Sequence, residues 1–178
     1  MNDMTAPIAS EASTLTPVTP VNIDFVDWFA ITQLYADYAD AVDSGDWDRW
    51  PEYFTEQCVY RLQPRENYER GFPLATLSFT SKGMLKDRVY GIRETLYHDP
   101  YYQRHVVGTP VVREVTAEGW RCEANYAVYR TKLSQESTVF NVGRYIDEIV
   151  RTPEGLRFAR KECIYDTEMI PNSIIYPI

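Results

Sequence analysis

The chain predicts an α+β domain, with helices packed on one face of a strongly curved, mostly antiparallel sheet. Three observations carry that prediction. Segments of helical period come first, between residues 24 and 97, and long alternating runs follow from 104 to 166. Those runs are separated by short turns rich in Gly, Pro and Ser, the pattern of antiparallel hairpins. A length of 178 residues with 44% apolar content suits one domain, which at this size buries roughly 70% of its unfolded surface. Helices first and a meander afterwards give a helical layer laid on a sheet.

Residues 1–22 are rich in Ser, Thr, Pro and Ala without apolar periodicity, which predicts a disordered leader; 23–178 read as a single domain. Asp24 is placed to N-cap a first helix with Phe25, Trp28, Phe29, Thr32, Tyr35, Ala39 and Val42 near one face, ended by Ser44-Gly45. Trp47, Trp50 and Phe54 continue at helical spacing, although Pro51 supplies no N–H and restricts Trp50. Residues 58–63 alternate as a strand, 64–71 form a polar loop, and 74–79 suggest a short second strand. Ser81 then caps a helix with Leu85, Val89, Ile92 and Leu96 on one stripe, broken by His98-Asp99-Pro100. Four strand-like runs complete the chain at 104–115, 120–133, 138–151 and 156–166.

Alternation within these runs is imperfect. In 120–133 one face carries Cys122, Ala124, Tyr126 and Val128, the other Asn125, Ala127, Tyr129 and Leu133. In 138–151 one face carries Phe140, Val142 and Ile146, the other Val139, Tyr145 and Ile149. A sheet with one solvated face alternates more cleanly, so a neighbouring subunit is expected over the outer face. The 14 tyrosines suit such contacts, being apolar with a polar tip.

A net charge of −8 argues against nucleic acid, whose phosphates need a basic face. No run approaches the 18 apolar residues of a membrane span, and no basic-then-apolar start marks a secretory signal. A cytoplasmic location is expected. Cys58, Cys122 and Cys163 are far apart and form no CxxC pair, so they read as reduced core thiols.

Four segments carry a family resemblance: DWDRWPEYFTEQCVYRLQPRENYERGFPL (46–74), KGMLKDRVYGIRETLYHDPYYQRHVVGTP (82–110), IVRTPEGL (149–156) and IYDTEMIPNSIIYPI (164–178). In order and without a gap, nearly everything after residue 23 resembles the small (beta) subunits of aromatic-ring-hydroxylating, Rieske non-haem iron oxygenases. The likeness is strongest to the salicylate 5-hydroxylase type. It implies an NTF2-like cone and a structural role beside a large (alpha) subunit, commonly in a three-fold alpha/beta hexamer. The alpha subunit is implied to carry the Rieske [2Fe-2S] cluster and mononuclear iron. Electrons would reach it from NADH through a reductase and a ferredoxin, and the nearest type implies conversion of salicylate to gentisate.

The residues themselves agree that this chain holds neither metal. A Rieske cluster needs two Cys and two His ligands, and a mononuclear site two His and a carboxylate. The only histidines are His98 and His105, seven apart across a Pro-Tyr-Tyr break, and no cysteines are paired. No cofactor is expected here. As an alternative, the cone of a stand-alone NTF2-like lyase or isomerase, or of a small-aromatic-binding protein, would use Tyr35, Asp43, Tyr60, Arg88 and His105, with His105 beside Asp43 as a base. No G-x-S-x-G elbow and no Gly-rich phosphate loop is present.

Two stretches read as contact surfaces. His98, Tyr101, Tyr102 and Arg104 concentrate charge and aromatic rings around a fixed turn, the make-up of interface anchors. The tail, with Met169, Ile174, Ile175 and Tyr176, is too apolar to lie in water and must dock on its own core or on a neighbour.

Overall fold

The computed structural model describes residues 21–167 and 173–178. Residues 1–20 of the predicted leader, and Met169 of the tail, lie outside the described residues. Helix α1 (Phe25–Ser44) opens with the Asp24 carboxylate accepting from the Val26 N–H and closes at Gly45, whose φ of 72° suits a residue without Cβ. Its buried stripe is Ile31, Leu34, Tyr35, Tyr38, Ala41 and Val42. The predicted face is therefore rotated toward Ile31, Leu34 and Tyr38, and Phe25 and Phe29 at the start of the helix are exposed.

A single 3-10 turn (Trp50–Tyr53) carries Pro51 at its start, where a missing N–H is harmless, and leads into β1 (Phe54–Pro64). The predicted polar loop after it contains a short helix, α2 (Arg65–Glu69), entered through Pro64 at φ −59°. Strand β2 (Leu77–Phe79) follows, and then α3 (Lys82–Tyr90), where the Ser81 hydroxyl accepts from the Met84 N–H. Of the expected stripe Leu85, Val89 and Ile92 are buried, while Leu96 lies past the last turn and is half-buried. The last turn, Gly91–Thr95, widens to π geometry and ends at Leu96.

The run predicted as one strand over 104–115 is two, β3 (Tyr102–Val107) and β4 (Val111–Val115). Pro110 cannot donate to a ladder, so pairing breaks before β4. Strands β5 (Gly119–Thr131), β6 (Thr138–Thr152) and β7 (Gly155–Tyr165) form the long meander. The sheet runs β2-β1-β7-β6-β5-β3, with β4 also on β5. Every pairing is antiparallel except β1 with β7.

Register shifts in four of the strand pairs bend this sheet around α1. One of them corrects the facial assignment in β6. The shift at Val128/Tyr129 leaves Phe140 without a partner and reverses the alternation there. Phe140 is buried with Tyr145 and Ile149, while Val142 and Ile146 turn outward and are half-buried. Between helix and concave face the core is strongly aromatic: Trp50, Phe54, Tyr60, Tyr145 and Phe158 surround Tyr35 and Tyr38. After β7 the tail returns to this core, where Ile174, Ile175 and Ile178 are buried.

Candidate functional site

The five cone residues singled out by sequence fall into three separate arrangements. Asp43 leaves the end of α1 opposite β3 and grips His105 twice. One oxygen lies 2.6 Å from His105 Nδ1, and the other accepts from the His105 backbone N–H at 2.8 Å. With the carboxylate ionised, Nδ1 carries the proton toward it and Nε2 is left as the free ring position. Nε2 is buried without a hydrogen-bond partner among the described residues. The expected pair is formed, but it is closed to solvent.

Tyr60 and Arg88 are committed to the tail. Arg88 Nη2 donates to the carbonyls of Ile174 and Ile175 at 3.1 and 2.6 Å. Burial pulls its guanidinium below the ordinary range. The Tyr60 hydroxyl donates to the Ile178 carbonyl at 3.2 Å and accepts from the Ile178 N–H at 2.9 Å. Tyr38 donates to the same carbonyl at 2.8 Å, the Cys163 thiol lies 3.3 Å from it, and Gln103 Nε2 donates to the Pro177 carbonyl at 3.1 Å.

Tyr35 belongs to a third group, which the sequence reading missed. Lys161 on β7 and Asp147 on β6 face each other across the ladder and meet at 3.1 Å, both fully buried. The Lys161 ammonium lies 3.4 Å from the Tyr145 ring centre and within 5.0 Å of those of Tyr35, Tyr38 and Phe158. Burial pushes the Asp147 carboxyl up against the pull of Lys161, and burial raises the Tyr35 hydroxyl with Asp147 adding to it. The available signal was one charged residue in the inward phase of each strand.

The remaining candidates divide as well. His98 Nε2 lies 2.8 Å from the Tyr176 hydroxyl, and Tyr101 packs on the Tyr176 ring at 4.5 Å between centres, so these three fasten the tail. Tyr102 and Arg104 stand exposed on the outer face of β3. Cross-strand rows Val106–Ala127–Val142 and Arg104–Tyr129–Val139 continue that face. Tyr102, Val106, Tyr129 and Val139 remain exposed there.

No group of three or more His, Cys, Asp or Glu side chains among the described residues is arranged to hold a metal ion. Both histidines have partners, and the three free thiols are buried on β1, β5 and β7, so the side chains present fit neither a Rieske cluster nor a facial triad. A cleft of about 430 Å³ opens away from the cone, lined by Trp47, Glu52, Lys86, Tyr90 and Arg93 among others. No described helix is long and apolar enough to cross a membrane.

Comparison with known proteins agrees with this geometry. A family model for the SnoaL-like domain matches residues 27–162. The anthranilate 1,2-dioxygenase small subunit of Burkholderia cepacia is 39% identical over 132 residues, 74% of this chain and 81% of that protein. The beta 1 subunit of the terephthalate 1,2-dioxygenase terminal oxygenase component of a Comamonas species is 27% identical over 131 residues, 74% and 85% of the two chains. Among solved structures, the beta subunit of an aromatic-ring-hydroxylating dioxygenase from Novosphingobium aromaticivorans superposes with a TM-score of 0.78 at 32% identity, covering 86% of this chain and 97% of that one. This chain therefore belongs to the SnoaL-like family and, within it, to the small subunits of aromatic-ring-hydroxylating dioxygenases.

Proposed function

We propose that this chain is the non-catalytic beta subunit of a multicomponent Rieske aromatic-ring hydroxylase. It organises large alpha subunits that hold the [2Fe-2S] cluster and the mononuclear iron, in a three-fold alpha/beta hexamer. NADH supplies the electrons through a reductase and a ferredoxin, in the cytoplasm. The observation that carries this reading is the cone itself. Tyr38, Tyr60 and Arg88 within it are bound to residues 173–178 of the same chain, so these polar groups are already engaged. Function then falls to surfaces. The outer face around Tyr102 and Arg104 is the region offered to a neighbouring subunit, with apolar side chains exposed in adjacent rows. His98, Tyr101, Ile174, Ile175 and Tyr176 act one step behind it by fixing the tail, and Met169, outside the described residues, is proposed for the same subunit contact.

For the reaction of the assembly we propose hydroxylation of a benzoate bearing an ortho donor group, with salicylate to gentisate as the specific case. The likeness to salicylate 5-hydroxylase small subunits supports this. So does the anthranilate dioxygenase relative, because salicylate and anthranilate differ only in an ortho hydroxyl or amino group. The test is co-expression with a large subunit of this enzyme class, followed by a visible spectrum and, with reductase, ferredoxin and NADH added, turnover with salicylate, anthranilate and terephthalate. A brown complex of equimolar large and small chains that releases gentisate is expected. A colourless chain that never co-purifies with a larger one would overturn the subunit reading; a brown complex active only on another acid would overturn salicylate alone.

A further inference from the structure

We propose that the cone is a peptide-binding site that reads an extended apolar segment by its main-chain carbonyls, with residues 173–178 as its exchangeable occupant. Three features point to it. The occupant is held by side chains: Arg88 on the carbonyls of Ile174 and Ile175, Gln103 on that of Pro177, and Tyr38 and Tyr60 on that of Ile178. Among the described residues, no backbone–backbone hydrogen bond joins the segment to the sheet or helices, unlike a strand that belongs to the fold. The side chains of the segment fill matching apolar space, with Ile178 inaccessible beside Tyr38, Tyr60 and Cys163. The donors reach the carbonyls of Ile174, Ile175, Pro177 and Ile178, and the side chains of the same four residues are buried, so backbone and side chains are held together. The ligand class is a short peptide with apolar, isoleucine-rich side chains. A small aromatic acid would leave most of these donors unmatched, and each buried donor left unpaired is costly.

Cys163 reports occupancy. Its thiol lies under the Ile178 carbonyl, whereas Cys58 and Cys122 are buried on other strands away from the segment. In the full-length protein, maleimide labelling resolved by mass spectrometry should be slow at all three thiols. Ile175→Asp combined with Ile178→Asp, which spoils the occupant and keeps the donors that hold it, should raise labelling at Cys163 at least tenfold and leave Cys58 and Cys122 unchanged. A synthetic peptide of sequence SIIYPI should then suppress that labelling saturably, and a scrambled peptide should not. No rise at Cys163, or a rise that the peptide fails to suppress, would overturn the proposal. If all three thiols become reactive, the variant has loosened the fold, and a second form decides. A protease site replacing residues 168–172 allows cleavage of the folded full chain. The cut segment should stay bound through gel filtration and exchange with labelled SIIYPI. Loss of the segment without rebinding would sink the idea.

Discussion

Lys161 has no access to water, and an ammonium is tolerable there because the Asp147 carboxylate lies 3.1 Å away and four aromatic rings turn their faces to it. Such a pair stabilises little relative to a well-packed apolar replacement, whereas removing one partner leaves a naked buried charge. Asp147→Asn or Lys161→Met alone should lower unfolding free energy by about 3–5 kcal/mol, and the double variant by far less than the sum. Urea denaturation of the four proteins measures this; additive losses would show that the two side chains act separately. A milder pair sits at the edge of α3. A hydrogen bond from Lys82 holds the Glu52 carboxyl below its ordinary value. Burial works against Lys82, yet the Glu52 and Glu56 carboxylates together hold its ammonium above the usual range. A depressed carboxyl contributes stability above its unfolded value and loses it as pH falls through that range. Glu52→Gln should therefore flatten the decline in stability between pH 5 and pH 3, by under about 1 kcal/mol because Glu52 is half-exposed. An unchanged pH profile would count against the pair.

Elements were legible wherever a local signal had no competitor. Asp24, Gly45 and Ser81 mark helix ends by chemistry that needs no tertiary partner, and all three act as predicted. The rotated face of α1 and the reversed phase of β6 depend instead on where the sheet bends, which no window of sequence contains. Gly143 marks a close approach of β6 to β7. A Cβ there would lie 2.1 Å from the Ile164 carbonyl oxygen, a backbone atom that cannot swing aside. Gly143→Ala should cost about 1–3 kcal/mol, the range for forcing extra atoms into a packed core. Thermal melts would show it, and a variant as stable as the parent would mean that the strands spread more freely than their register suggests.

At the scale of the whole molecule the outer face of the sheet matters most. Tyr102, Val106, Tyr129 and Val139 are exposed on β3, β5 and β6 in adjoining rows around Arg104, the face proposed above for a subunit contact. Val106→Asp should leave the melting temperature of the single chain unchanged, because the side chain is already exposed. It should weaken assembly at least tenfold, about 1.4 kcal/mol. Light scattering across a dilution series reads this directly, and complexes that persist unchanged would place the contact elsewhere. The tail belongs to the same scale. Its apolar sequence predicted docking without saying where, and the cone is where Ile174, Ile175 and Ile178 are buried.

The sequence by itself determined the helices-then-meander order in outline, the likeness to ring-hydroxylating oxygenase beta subunits through the four segments quoted above, and the pairing of Asp43 with His105 as a candidate. These depend on residue chemistry at fixed spacing or on likeness along the chain. Only the tertiary structure decided that the cone is filled. Arg88 and Tyr60 reach the tail across 86 and 118 residues of chain, and Lys161 meets Asp147 only because β6 and β7 pair in one register. The physical reason is that a buried donor or charge is satisfied by whatever the fold brings within about 3 Å, and proximity across a folded sheet is not written in any local pattern.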